Sequence, residues 1–270
     1  MKKKKLYLDF NILIYLKDNQ DDNLRSIIEY YRNRDYLIVF SPAHIEEIAV
    51  SEKRDNQPKD KINKDLEFIS ELTNNNALRP ITRNNCILFL ETPNECYERV
   101  IKDYSKNDFA ELIEEAVLYD AYTNPLSELK EMNNKSPEDI LKDIKVKKHI
   151  LQKLVENNII EKKHVKKALQ WKFKDIQSKF YIFESYVDMS ARYLEKLGFF
   201  REKKKKYRSR LHDISHIIYS SYCDIFITND KKLYNKTKAI YSLLKIDTKI
   251  YMKDEFVKMY NKSLERNSLP

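Results

Sequence analysis

Four carboxylates stand where metal-assisted chemistry would need them. Asp9 directly follows the apolar run Leu6-Tyr7-Leu8, and Asp230 comes just after Ile225-Phe226-Ile227-Thr228. Glu46 and Glu47 sit in a helical pattern that follows a third apolar run, Tyr36-Leu37-Ile38-Val39-Phe40. Asp213 joins them if the helix through Leu211, Ile214, Ile217 and Ile218 brings its amino-terminal end to the same place. Crowded carboxylates repel one another unless a cation sits among them, and oxygen-only clusters suit Mg²⁺ or Mn²⁺. Such ions acidify a bound water and steady the charge of a phosphodiester undergoing displacement. Each acid also has a plainer reading: Asp9 and Asp230 as helix caps, Glu46 and Glu47 as solvated helix residues.

The elements that position these acids are legible from hydropathy. The three apolar runs are continuous rather than alternating, which suits strands buried on both faces of a parallel sheet. Thr248-Lys249-Ile250-Tyr251-Met252 is a fourth candidate, and each run leads into a helical pattern, so the chain reads as α/β with right-handed crossovers. In such sheets ligands bind beyond the carboxyl ends of the strands, which is where the acids lie. From about Lys59 to Gly198 the periodicity is mostly helical, with Cys86-Ile87-Leu88-Phe89-Leu90 open between strand and helix. Ser136-Pro137-Glu138-Asp139 has the form of a helix entry. The expected architecture is a sheet domain from residues 1–58 and 207–270, interrupted by a mainly helical insertion, 59–206.

Composition excludes several alternatives. The 270 residues contain one glycine, Gly198, so a glycine-rich phosphate loop or dinucleotide turn is ruled out. Cys86, Cys96 and Cys223 lack CxxC spacing, which argues against a four-thiolate zinc site and points to a reducing, cytoplasmic setting. Lys and Arg total 51 against 42 Asp and Glu, a formal charge of +9 that favours a polyanionic partner. No apolar run is long enough to cross a membrane.

With these elements in place, a family resemblance becomes visible. Leu8-Asp9-Phe10-Asn11-Ile12-Leu13 resembles the opening motif of the PIN-domain nucleases, an apolar strand closed by Asp-x-Asn. Ser41-Pro42-Ala43-His44-Ile45-Glu46-Glu47-Ile48 is similar to their second motif, with Glu47 the better match in spacing and Glu46 the alternate. His212-Asp213-Ile214-Ser215-His216 resembles the third, and Thr228-Asn229-Asp230-Lys231-Lys232-Leu233 the fourth. The resemblance covers roughly residues 5–55 and 207–260, and the long insertion departs from compact members. It implies a three-layer α/β/α PIN-like domain with a central parallel sheet. It also implies an Mg²⁺- or Mn²⁺-dependent endonuclease, acting on RNA more than DNA, in the manner of a toxin or phage-defence effector. Asp9, Glu47, Asp213 and Asp230 would then be catalytic metal ligands, with Asn11 and Thr228 orienting them and Glu46 beside them as the alternate to Glu47. His44, three residues before Glu47 on the same helix face, is open between a neighbour of the site and a packing residue. An inhibitory or regulatory protein and a second copy of the chain are the further partners it suggests.

Other residues invite attention. His212 and His216 have i,i+4 spacing compatible with zinc, but no third soft ligand accompanies them. His149 and His164 lie in lysine-rich helical segments and are expected to be solvated. The run Arg201 to Arg210 holds seven bases and one acid. Its Lys203, Lys204, Lys205, Lys206, Arg208 and Arg210 are the expected contacts to a nucleic-acid backbone, with Tyr207 available to stack on a base. A haloacid-dehalogenase-type phosphohydrolase would need a second Asp where Asn11 stands. An HD-type phosphohydrolase would be all-helical, leaving the strands unexplained. The remaining competitor is a non-catalytic basic scaffold that binds RNA or protein.

Overall fold

The computed structural model describes residues 3–34, 36–55, 57–82, 84–103, 131–201 and 207–267, with the side chains of 53–55, 103, 207–211 and 264–267 excepted. The chain opens with β1 (Lys4–Leu8), α1 (Phe10–Lys17), α2 (Asp22–Arg32), β2 (Tyr36–Val39) and α3 (Pro42–Asp55). Next come α4 (Lys59–Thr73), a hairpin of β3 (Asn76–Ile81) and β4 (Asn85–Leu90), and α5 (Pro93–Asp103). Beyond residue 130 lie α6 (Ile144–Glu156), the short α7 (Val165–Ala168) and α8 (Phe173–Ile176), and the long α9 (Phe180–Lys196). The chain closes with α10 (Tyr207–Ser220), β5 (Ile225–Thr228), α11 (Lys231–Leu244), β6 (Lys249–Met252) and α12 (Lys253–Asn267).

The four apolar runs form one parallel sheet in the order β2-β1-β5-β6. Leu6 pairs with Ile38 on one side and Ile225 on the other, so β1 is central. Successive side chains of a strand point to opposite faces. Leu6, Leu8, Ile38, Phe40, Ile225 and Ile227 therefore join one core, and Tyr7, Val39 and Phe226 the other. The first core is closed by α1, α2, α3, α4 and α12, through Leu13, Ile27, Ile48, Leu66 and Phe256. The second is closed by α6, α9, α10 and α11, through Leu151, Phe183, Ile217 and Ile240. The result is a sheet covered by helices on both faces. Residues between 59 and 206 contribute to both outer layers.

The crossover from β1 to β2 uses the first face and that from β5 to β6 the second, and the two run in opposite directions along the sheet. This gives both crossovers the same hand and puts the reversal of strand order between β1 and β5. The crevice beyond Leu8 and Thr228 is thus a topological switch point.

Two segments that were open or differently read from sequence are settled here. Cys86–Leu90 is strand, the outer half of the β3–β4 hairpin, which docks through a parallel bridge between Phe40 and Ala77. The segment from Ser136 is a succession of turns, and the helix starts only after Asp143, whose carboxylate accepts the Lys145 N–H at 2.8 Å. The Ser136 hydroxyl is engaged instead by the Glu138 carboxylate.

A buried ion pair ties the outer layer over the second face together. Lys236 of α11 meets Glu195 of α9, each side chain 2% exposed. Removing one member of such a pair strands a charge in a low-dielectric interior, whereas removing both with apolar replacement does not. Lys236→Ala is expected to lower unfolding free energy by about 3–5 kcal/mol. The double variant Lys236→Met/Glu195→Leu should recover most of that loss in urea titrations.

Candidate metal centre

Three side chains converge at the switch point. Asp9, Glu47 and His216 each offer one ligand atom, and these atoms lie within 4.8 Å of one another. Asp9 arrives because β1 ends at Leu8; its own N–H still pairs with the Ile227 carbonyl of β5 at 2.9 Å. Glu47 is carried by α3, which crosses the carboxyl end of β2, and His216 by α10, which packs on α3.

Asp9 is 2% exposed and held by donors on both oxygens. Oδ1 accepts the Phe10 N–H at 2.8 Å, and Oδ2 accepts the Thr228 hydroxyl at 2.7 Å and the Asn11 amide at a longer 3.4 Å. Asn11 is itself exposed. Asp9 thus does cap α1, but its oxygens also face His216, whose Nε2 is 3.8 Å from Oδ1. His216 Nε2 lies 2.8 Å from Glu47 Oε1, and the Glu47 side chain, 25% exposed, is the group of the three that reaches solvent.

Behind these ligands runs a buried polar chain. His216 Nδ1 is 2.8 Å from the Tyr7 hydroxyl, which is 2.6 Å from the Ser41 hydroxyl. The Ser41 N–H donates to His44 Nδ1 at 3.1 Å, so His44 Nε2 carries the hydrogen and donates to the Leu8 carbonyl at 2.7 Å. His44 is therefore a neutral ring with a single tautomer, and burial with the nearby His216 holds its pKa down at about 3. Burial likewise holds His216 near 4 and drives the Tyr7 phenol well above its ordinary value. Glu47 is pushed up to about 8 by desolvation and the neighbouring Asp9 and Glu46 carboxylates, against the opposing influence of His212.

Glu47 and His216 consequently share a proton. When Glu47 is ionised, His216 Nε2–H donates to it, Nδ1 accepts from Tyr7, and Tyr7 accepts from Ser41. When Glu47 holds the proton, each of these bonds reverses direction. The hydroxyls of Tyr7 and Ser41 serve both arrangements because each can donate or accept. The reversed arrangement leaves His216 Nδ1–H pointing at Tyr7 and frees the Nε2 lone pair from hydrogen on its own ring, the form in which imidazole binds a metal.

The other residues expected at the site are placed as follows. No carboxylate oxygen of Asp213 or Asp230 lies within 4.8 Å of all three ligand atoms. Asp230 is the N-cap of α11: its Oδ1 accepts the Lys232 and Leu233 N–H groups at 2.6 and 3.0 Å. It is coupled to Asp9 through Thr228, whose hydroxyl oxygen accepts the Asp230 N–H at 2.9 Å. Asp213 is 9% exposed and lies almost one turn before His216 on α10. Glu46 faces His212, Oε2 to Nδ1 3.8 Å. His149 is half-buried against the Tyr193 ring rather than solvated, while His164 is exposed. Lys203, Lys204, Lys205 and Lys206 lie outside the described residues, and so do the side chains of Tyr207, Arg208 and Arg210.

The sequence offers His216 as half of an i,i+4 pair open to zinc, to tuning of the neighbouring site, to phosphate contact or to an ordinary helix-surface position; the structure buries it beside Asp9 and Glu47. Its position inside the apolar stripe Ile214, Ile217 and Ile218 was the available signal, since a buried imidazole must have partners. Two carboxylates and one imidazole nitrogen form a mixed oxygen–nitrogen donor set that can hold a divalent ion. Comparison with family models, with curated proteins and with solved structures found no match.

Two outcomes follow from this geometry. Tyr7→Phe removes the hydroxyl opposite His216 Nδ1 and should weaken Mn²⁺ affinity by about tenfold while costing about 1–3 kcal/mol of stability, both read from thermal melts with and without Mn²⁺. An ion on Glu47 and His216 must displace their shared proton. Mn²⁺ affinity should therefore rise as pH climbs toward about 8, where Glu47 ionises, and level off above it, with proton release visible by calorimetry in buffers of different ionisation enthalpy.

Proposed function

We propose that this protein is a divalent-metal-dependent phosphodiester hydrolase of PIN type, an endonuclease acting on RNA. The observation that carries the reading is the convergence of Asp9, Glu47 and His216 at the carboxyl edge, where β1 and β5 part. A net charge of +9 supports a polyanionic substrate. Because the donor set includes an imidazole nitrogen, Mn²⁺ suits it better than Mg²⁺.

Bound there, a divalent ion would supply charge neutralisation to a phosphate and acidity to a water. The chain's own residues have distinct tasks. Asp9, pinned by Phe10 and Thr228, contributes a carboxylate with little freedom to reorient. Glu47, the group of the three that reaches solvent, contributes a carboxylate on the side from which substrate would arrive. His216 holds its orientation through Tyr7, and His44 ties α3 to the end of β1 through the Leu8 carbonyl.

A second reading, a basic scaffold that binds RNA or protein without cutting, draws on Asp230, whose carboxylate is taken up by two helix N–H groups. Labelled single-stranded RNA and DNA incubated with Mn²⁺, Mg²⁺ or EDTA separate the two. Cleavage of RNA is expected with Mn²⁺ and none with EDTA. Asp9→Asn and Glu47→Gln should each lower it at least about 100-fold with little change in RNA affinity. Binding without cleavage in either ion would establish the scaffold, and full activity in both variants would remove these residues from the chemistry.

A further inference from the structure

At the opposite, amino-terminal edge of the sheet an open groove of about 800 Å³ is lined by the start of β1, by α8, and by the turns before β5 and β6. Lys3 just before β1 and Lys5 within it border the groove, as do Lys172 and Lys174 at the start of α8 and Lys245, the C-cap of α11. Lys4 also borders the groove, but its ammonium lies over the Tyr36 ring, on the other side of the strand. None of the first five ammonium groups is in an ion pair with a described residue. They face two carboxylates, Asp224 and Asp247, and Asp224 Oδ2 is already engaged by the Lys5 N–H at 2.7 Å.

Two rings complete the groove. Phe173 and Tyr222 are half-buried, with centroids 5.2 Å apart and planes at 75°. The Tyr222 hydroxyl donates to the Gln177 carbonyl at 2.9 Å, which fixes its ring, and Phe183 packs behind both. Rigid aromatic rings among lysines that have no ion-pair partner among the described residues suit a ligand that alternates phosphate with planar base. Lysines, as point charges without a fork geometry, suit contact with a backbone rather than reading of sequence.

We infer that this groove is a binding site for single-stranded nucleic acid, distinct from the carboxyl-edge centre and placed about 16 Å from it along β1. Its phosphates would meet Lys5, Lys172, Lys174 and Lys245, and a base would lie against Phe173 and Tyr222. The site does not rest on hydrolysis, and its test is made without it.

Fluorescence anisotropy with a 5′-labelled single-stranded RNA of about 12 nucleotides, in EDTA, reads binding by the full chain with no divalent ion present. The triple variant Lys172→Gln/Lys174→Gln/Lys245→Gln should weaken affinity at least about tenfold and reduce the slope of log affinity against log salt by about 2. The charge-matched triple Lys59→Gln/Lys61→Gln/Lys64→Gln, on the exposed side of α4, should change affinity no more than about twofold. Phe173→Leu should weaken binding severalfold at an unchanged salt slope, since stacking releases no counterions. Equal effects from the two triples would overturn the proposal. So would an inert Phe173→Leu combined with full displacement of RNA by inorganic tripolyphosphate, which would mark a phosphate site that takes no base. Groove binding that survives in Asp9→Asn, alongside lost cleavage, keeps the two sites separable.

Discussion

A phenol buried on the central strand cannot be left without a hydrogen-bond partner, and much of this molecule is arranged around that requirement. Tyr7 is fully enclosed between β2 and β5, and an unsatisfied hydroxyl there would cost about 1–3 kcal/mol. Its partners come from two helices distant in sequence: Ser41 at the start of α3 and His216 in the middle of α10. Satisfying Tyr7 therefore fixes how both helices sit over the sheet. His44, bonded to Ser41 and to the Leu8 carbonyl, locks the first of them to the end of β1. Once α3 and α10 are seated, Glu47 and His216 can only meet Asp9.

The strand's alternation gives each neighbour of Tyr7 a different task. Leu6 and Leu8 point into the opposite core, and Asp9 is the first residue beyond both. The carboxylate is fixed by backbone and hydroxyl donors that belong to the ends of β1 and β5, so its position follows from the register of the sheet. Glu47 stands differently. It depends on a helix, remains partly in solvent, and has its carboxyl pKa pushed up to about 8 by desolvation and the neighbouring carboxylates. A rigid ligand beside an adaptable one is a common basis for holding an ion while leaving room for a substrate.

The two ends of the sheet differ in charge as well as in role. Carboxylates and imidazoles gather beyond the carboxyl ends of the strands, and lysines gather at the amino ends. The same short strands impose the separation, because β1 spans only five residues and its first residues belong to the basic groove while Asp9 follows its last.

Much of the frame was written in the chain itself. Three continuous apolar runs identify β1, β2 and β5, and the less regular Thr248–Met252 gives the edge strand β6; the acids after β1 and β5 lie at the carboxyl edge of that sheet. Asp9 is legible from that pattern, which offers Glu46 and Glu47 alike; the preference for Glu47 and the part given to Thr228 come only from the likeness to the PIN motifs. Three-dimensional packing decided the rest. Whether Asp230 ligates or caps depends on which N–H groups its oxygens meet, and spacing is the same in either case. The inclusion of His216 depends on the rotation of α10 against Tyr7, a contact between residues 209 positions apart. The groove of lysines is likewise assembled from chain segments that are neighbours only after folding, so composition records its charge while nothing in the linear order reveals its place.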